Sequence, residues 1–185
     1  VARRVAKILD ATTITALLCE IKSVEIIDRC KDVYDLIATE EVLDEIFRSG
    51  RLIHSSLDRH FMVESLDHSE FKLMNYLEVR YPALHRGELS SFITAARYAK
   101  KCVPSFFVTD DRAMRNSITK MLDSEEFIKF AGTKVTIKST GTIGLLIHLG
   151  EKGHLCKDER ERIADDLSTS TFRCTPQLVL HLKND

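Results

Sequence analysis

Apolar and polar positions along the chain follow two periods. Short apolar runs stand where buried strands would, and longer stretches repeat apolar residues at the spacing of one helix face. Val5–Leu9 reads as a first strand, followed by a helix carrying Ile14, Leu17, Leu18 and Ile21 at i, i+3, i+4 and i+7. Val33–Ala38 is a second strand. Thr39 with Glu40 and Glu41 then supplies an N-cap and an acidic first turn for a helix through Val42–Phe47. Between Gly50 and Leu66 the pattern is least definite, with Leu52–Ser55 and Phe61–Val63 as the candidate strands. Ser69–Arg80 reads as a helix that stops before Pro82. Gly87 precedes a helix whose inner face is Leu89, Phe92, Ile93 and Ala96. Ser105–Val108 is a strand, Arg112–Leu122 a helix and Lys134–Ile137 a strand. A helix after Gly141 carries Ile143, Leu146 and Ile147 and ends near Gly153; Asp158–Leu167 and Pro176–Leu182 add two more.

Strands alternating with helices predict an α/β fold, a three-layer sandwich whose central, mainly parallel sheet is covered on both faces. There is no internal repeat, low-complexity tract or Pro/Gly-rich linker. At 185 residues a single domain is expected, with a sheet core over 1–138 and C-terminal helices over 139–185 packed on it.

Composition narrows the classes. Hydrophobic residues at 44% and charged residues at 30% are ordinary for a soluble globular protein. A formal net charge of −1 gives no global basic field, although a local patch can still act. Lys100 and Lys101 after Arg97 form such a short patch and read as a solvated helix end. Five dispersed cysteines (Cys19, Cys30, Cys102, Cys156, Cys174) with no C-x-x-C support neither a disulfide framework nor a zinc knuckle. The histidines lack ligand spacing: His54 and His60 are six apart, as are His148 and His154. The apolar run near Thr142–Leu149 is too short for a bilayer, and VARRVAKIL has no signal-peptide core. A cytoplasmic protein is expected, without a membrane partner.

The stretch FVTDDRAMR, residues 107–115, sets two aspartates side by side at the end of a strand. Adjacent anions repel unless a cation or backbone N–H groups answer them. In parallel sheets function gathers at the carboxyl ends of the strands. Asp10 follows the first strand in KILDATTIT, and Asp110 and Asp111 follow the strand of SFFVTDD, so all three leave the same edge. Glu45, on the border of an apolar helix face in TEEVLDEI, and Glu88, beside Gly87 in HRGELSSF, can join them. Several carboxylates with no Lys or His between them call for a hard divalent cation, Mg²⁺ or Mn²⁺. Such an ion lowers the pKa of a bound water and neutralises charge on a reacting phosphodiester. Each acid also has a simpler reading: Asp10 and Asp111 as N-caps, Glu88 as a partner of the helix dipole, Glu45 as a solvated residue. Their shared placement favours the metal. Arg112 and Arg115 share a helix face and are candidates for substrate phosphates, against ordinary surface pairing. An aspartyl phosphatase wants a second acid two residues after Asp10, where Thr12 stands. A phosphoacceptor receiver domain needs an acidic pair before the first helix, which is absent.

These motifs resemble a PIN-domain nuclease over nearly the whole chain: ILDATTI, ATEEVLDEI, RGELSSFITAARYA and FVTDDRAMR, in that order. The tail TIKSTGTIGLLIHLGEKGHL followed by FRCTPQLVLHL is similar to a branch related to VapC-like toxins. The resemblance implies a parallel α/β sandwich and Mg²⁺- or Mn²⁺-dependent cleavage of RNA. It also implies a homodimer and, for a toxin, an antitoxin partner. Asp10 matches the first metal ligand, Glu45 the helix-borne acid, and Glu88 the third motif. Asp111, counted from Thr109, matches the fourth, with Asp110 as its competitor. Many relatives carry an aspartate further along the third-motif helix, whereas Thr94 to Tyr98 here offer no carboxylate. Thr12 or Thr13 resembles the hydroxyl that hydrogen-bonds inside such a site. The alternative is a catalytically weak or inactive PIN-like module that binds RNA or protein.

Overall fold

The computed structural model describes residues 4–50 and 59–184. One sheet of five parallel strands has the order β3–β2–β1–β4–β5. Its strands are β1 (Val5–Leu9), β2 (Tyr34–Thr39), β3 (Met62–Glu64), β4 (Ser105–Val108) and β5 (Ser139–Thr140). The helices are α1 (Ala11–Thr15), continued by a π-helical turn Ala16–Glu20, then α2 (Ile26–Val33), α3 (Glu40–Arg48), α4 (His68–Arg80) and α5 (Arg86–Lys100). They are followed by α6 (Arg112–Leu122), α7 (Glu125–Ala131), α8 (Thr142–Glu151), α9 (Lys157–Thr169) and α10 (Pro176–Asn184).

The central strands are apolar on both faces because both are covered. Ala6, Ile8, Ile37 and Phe107 pack under α4–α7 with Met74, Leu77, Phe92 and Phe127. Leu9, Leu36, Ala38 and Val108 face the other way, onto Ile14, Ile26 and Val42 and onto Ile143, Leu146, Ile163 and Leu182 of the last three helices. The expected three-layer parallel sandwich is the fold observed.

The strand order fixes where a ligand can sit. From β1 the chain winds outward to β2 and β3, then crosses to β4 and β5 on the other side. The crevice beyond the carboxyl ends of β1 and β4 is therefore the topological switch point. Leu9 pairs with Val108, so Asp10 and Thr109 emerge side by side, and Asp10 N–H donates to the Val108 carbonyl at 3.1 Å.

Five elements differ from the sequence reading. Helix α2 has no counterpart in that reading and takes Val33, so β2 starts at Tyr34. Helix α7 has no counterpart in it either. The last strand is Ser139–Thr140 rather than Lys134–Ile137. Phe107 N–H donates to the Lys138 carbonyl at 2.8 Å and Thr109 N–H to Thr140 at 2.9 Å, while Val135 and Ile137 pack into the α4–α7 core. Phe61 is drawn into the opposite core, so the third strand runs one residue later, over Met62–Glu64. The candidate strand Leu52–Ser55 lies outside the described residues.

Lys7, in the middle of β1, is only 2% exposed. Its ammonium sits 4.0 Å from the ring centroid of Phe106 and 4.6 Å from that of Tyr34. Burial, with the Lys152 charge adding, lowers its pKa to about 8. A lowered lysine pKa means that the charged form opposes folding below about pH 8, and stability returns as pH rises from there towards 10.5. Lys7→Met is expected to raise the melting temperature at pH 7 by a few degrees in calorimetry. A fall would show that the two ring faces more than offset desolvation.

Candidate active site at the β1–β4 crevice

Asp10 is the N-cap of α1, in extended backbone, and its Oδ1 accepts the Thr13 N–H at 2.7 Å. It is 2% exposed. Burial pushes its pKa up to about 6; hydrogen bonds from Thr109 and Thr13 oppose that shift and the Asp110 charge adds to it. Thr13 is the buried hydroxyl of the pair, donating to the Val108 carbonyl at 3.4 Å, whereas Thr12 is exposed.

The doubled aspartate divides its work. Asp111 caps α6, its Oδ1 accepting the Met114 N–H at 2.5 Å, while Thr109 Oγ1 accepts the Asp111 N–H at 3.2 Å. Asp110 turns the other way. Both its oxygens accept the Thr142 N–H, at 3.1 and 3.2 Å, and Oδ2 also accepts the Thr142 hydroxyl proton. Helix α8 begins after Gly141, which has no side chain to cap it, so Asp110 supplies the acceptor from another element. A Cβ on Gly141 would lie 2.5 Å from Asp110 Oδ1. Burial raises the Asp110 pKa, opposed by Thr142 and by the Arg115 charge. Backbone N–H groups of two helices thus answer the two adjacent anions in this structure.

Glu88 is half-buried in the first turn of α5, where its Oε2 accepts the His85 N–H at 2.9 Å. Burial pushes its pKa up to about 7; the His85 bond opposes that, and the Asp111 and Asp10 charges add to it. Two hydroxyls seat α5 over the strand ends: Ser90 shares a 2.6 Å hydrogen bond with Thr39, and Ser91 donates to the Leu9 carbonyl at 3.3 Å. Glu45 is exposed on α3, its Oε2 so near Gly87 that a Cβ there would stand 2.5 Å away. Glycine lets α3 and α5 approach at this point.

A cleft of about 410 Å³ opens over this corner, with Thr12, Glu20, Glu45, Asp110, Asp111 and Arg173 on its walls. Asp10 and Glu88 are not on its walls, but their charges bear on each other and on the doubled aspartate. Arg115 donates to the Asp110 carbonyl at 3.3 Å, and neither it nor the exposed Arg112 is on the cleft wall. Thr142, Glu20 and Arg173 were not among the residues singled out from sequence. The sequence does carry a signal for Thr142, a Gly-Thr pair at a helix start; Glu20 and Arg173 carry none.

Among the described residues no three His, Cys, Asp or Glu side chains stand together as metal ligands, because the strand-end acids are turned onto helix N–H groups and hydroxyls. The donor set is nonetheless all hard oxygen. Burial is the main cause that raises the pKa of Asp10, Glu88 and Asp110, and a bound divalent cation would offset that cost of keeping them ionised. The residues fit such an ion by chemistry.

Fold and site together define a parallel α/β domain with carboxylates gathered at its switch point. A family model described as a PIN domain matches residues 6–184, and the chain belongs to that family. PIN domains are generally nucleases. Comparison with curated proteins and with solved structures gives no match. Among the described residues no helix is long and apolar enough to cross a membrane.

Proposed function

We propose that the protein is an Mg²⁺- or Mn²⁺-dependent endoribonuclease. One observation supports this above the others: the exits of β1 and β4 join Asp10 and the Thr109–Asp111 corner in one hydrogen-bonded cluster beside Glu88. Asp10, Glu88, Asp110 and Asp111 would hold the ion, which when bound acts as a Lewis acid and lowers the pKa of water. Thr13 and Thr109 fix Asp10, and Thr142 fixes Asp110, so those carboxylates keep one orientation. Thr12, exposed on the cleft wall, would donate its hydroxyl to a phosphate oxygen, and Glu45 would accept a proton from the attacking water. Arg115 steadies the Asp110 backbone, and Arg112 would meet phosphates of the strand outside the cleft. In-line attack on phosphorus breaks the P–O3′ bond, leaving a 3′-hydroxyl and a 5′-phosphate. The family resemblance implies those ends.

The test is a 5′-labelled single-stranded RNA incubated with the protein in Mn²⁺, in Mg²⁺ and in EDTA. Cleavage in the metals, none in EDTA and labelled products that end in a 3′-hydroxyl are expected. Cleavage that persists in EDTA overturns the metal assignment. A VapC-like toxin role with an antitoxin partner, and a homodimer, rest on the resemblance alone. Co-purification with a neighbouring gene product and sedimentation analysis decide them. The second reading, a weak or inactive PIN-like binding module, draws on the engagement of the strand-end acids in capping. RNA binding without cleavage in either metal would establish it.

A further inference from the structure

The cleft is acidic on nearly every side. Its titratable wall residues are Glu20, Glu45, Asp110, Asp111 and Arg173, so among the described residues lining it Arg173 is the single cation. A nucleic-acid strand entering such a cleft meets like charge, and a lone arginine on the wall matters more than it would on an open surface.

Arg173 belongs to the segment between α9 and α10, and its neighbours hold that segment firmly. The Thr171 hydroxyl donates to Glu20 Oε1 at 2.7 Å, tying the segment to the end of the π-helical turn. The Ser170 hydroxyl donates to the Leu167 carbonyl at 2.9 Å and accepts the Phe172 N–H at 3.0 Å. Phe172 packs against the core under the α8–α10 layer. Cys174, the next residue, is near enough to Asp110 for its thiol to feel that charge. The backbone on both sides of Arg173 is therefore fixed against the catalytic corner, while the guanidinium itself is exposed and makes no hydrogen bond or ion pair among the described residues. An arginine held by its neighbours and left unpaired at the mouth of an acidic cleft suits a ligand that brings its own negative charge.

We infer that Arg173 is a substrate-positioning residue, which binds a backbone phosphate of a single-stranded RNA next to the phosphodiester being cut. The inference rests on the nuclease reading above and adds to it a third wall, built by the α9–α10 segment. Within the cleft the cationic contact to phosphate thereby falls to Arg173, whereas Arg112 stands outside it and Arg115 is engaged with the Asp110 carbonyl.

The test uses the full chain, with oligouridylate as probe, and compares wild type with Arg173→Ala and Arg173→Lys. Cleavage kinetics are read in Mn²⁺, and binding in EDTA and in Ca²⁺ over a salt series. For Arg173→Ala, KM should rise about tenfold with kcat within about twofold, the signature of one lost charged hydrogen bond. The slope of log affinity against log salt should become shallower by about 0.7, the value of one single-strand phosphate contact. Arg173→Lys should keep the slope and lose part of the affinity, since it keeps the charge without the fork. Both variants should melt with the wild type, because the side chain is exposed. If wild type cuts RNA and Arg173→Ala matches it in KM and slope, the Arg173 assignment falls and the nuclease reading stands. If wild type neither cuts nor binds the probe, both fall.

Discussion

Asp10→Asn is expected to lower RNA cleavage by at least about a hundredfold while making the metal-free protein more stable at neutral pH. The substitution is nearly isosteric. The amide oxygen still accepts the Thr13 N–H that Oδ1 accepts at 2.7 Å, so the cap of α1 survives. What disappears is a buried negative charge. The Asp10 pKa is raised from 3.8 to about 6, chiefly by burial. A carboxyl that holds its proton more tightly when folded gives full stability below its unfolded pKa, and loses it as pH rises through the folded one. For Asp10 that loss amounts to about 3 kcal/mol by pH 7, and asparagine does not suffer it. Glu88, with its pKa near 7, acts in the same direction, more weakly because solvent reaches it. Urea denaturation in EDTA should therefore show wild type weakening between pH 4 and pH 7 and Asp10→Asn weakening less. Adding Mn²⁺ should stabilise wild type and leave the variant unmoved: a hundredfold excess over Kd, worth about 2.7 kcal/mol, brings the two nearly level at pH 7, and a thousandfold excess, worth about 4.1 kcal/mol, reverses the order. Undiminished cleavage by a folded variant would remove Asp10 from the site. A variant less stable than wild type at pH 7 in EDTA would show that burial does not strain this acid.

Much of this was readable from the chain, for identifiable reasons. Strands β1 and β4 are short apolar runs ended by acids, and parallel pairing sends such ends to one edge, so Asp10, Asp110 and Asp111 were locatable without coordinates. Helix α6 matches its expected bounds, Arg112–Leu122, because Asp111 caps it and Met114, Ile118 and Met121 keep helical spacing. Helix α7 is not evident in the pattern because its seven residues are too few for periodicity, although Ser124 as cap and Gly132 at φ 70 bracket it. The pattern points to Lys134–Ile137 for the last strand because Val135 and Ile137 favour a strand by type, while the sheet edge accepts the polar pair Ser139–Thr140. That is packing overriding propensity. Within the site, pattern showed which acids gather but not what holds them. The simple capping reading of Asp10 and Asp111 is correct as geometry, and it leaves the ligand reading open, since one carboxylate can serve both. Thr142 reaches Asp110 from α8, and Arg173 reaches the cleft from the α9–α10 segment, both far along the chain, a juxtaposition that no local spacing encodes.

Gly141→Ala should be among the most damaging single-methyl additions to this protein. Its backbone is extended, at φ −97 and ψ 177, a conformation that any residue adopts, so strain is not the reason. The reason is space. The new Cβ would stand 2.5 Å from Asp110 Oδ1, which is not a side chain free to swing aside. The Thr142 N–H and hydroxyl hold it, and it is the acceptor that caps α8. Either Asp110 releases Thr142, or α8 retreats and opens the core around Ile143, Leu145, Leu146 and Leu149. Losing the charge-assisted bonds alone costs about 1.5–3 kcal/mol, and the acid corner moves with them, so cleavage should fall along with stability. Gly87→Ala is the matched control, because its Cβ would also meet a carboxylate oxygen at 2.5 Å, that of Glu45. Glu45 is exposed and can rotate away, and alanine favours the helix by about 1 kcal/mol, which leaves the buried Val42 Cγ2 at 3.3 Å as the main obstacle, so the melting temperature should fall clearly less than for Gly141→Ala. The coupling is measurable directly. In an Asp110→Ala background the added methyl at position 141 has no carboxylate to strike, so its cost should largely vanish. If Gly141→Ala melts with wild type, or costs the same with and without Asp110, the clasp between the second aspartate and α8 does not hold the corner together.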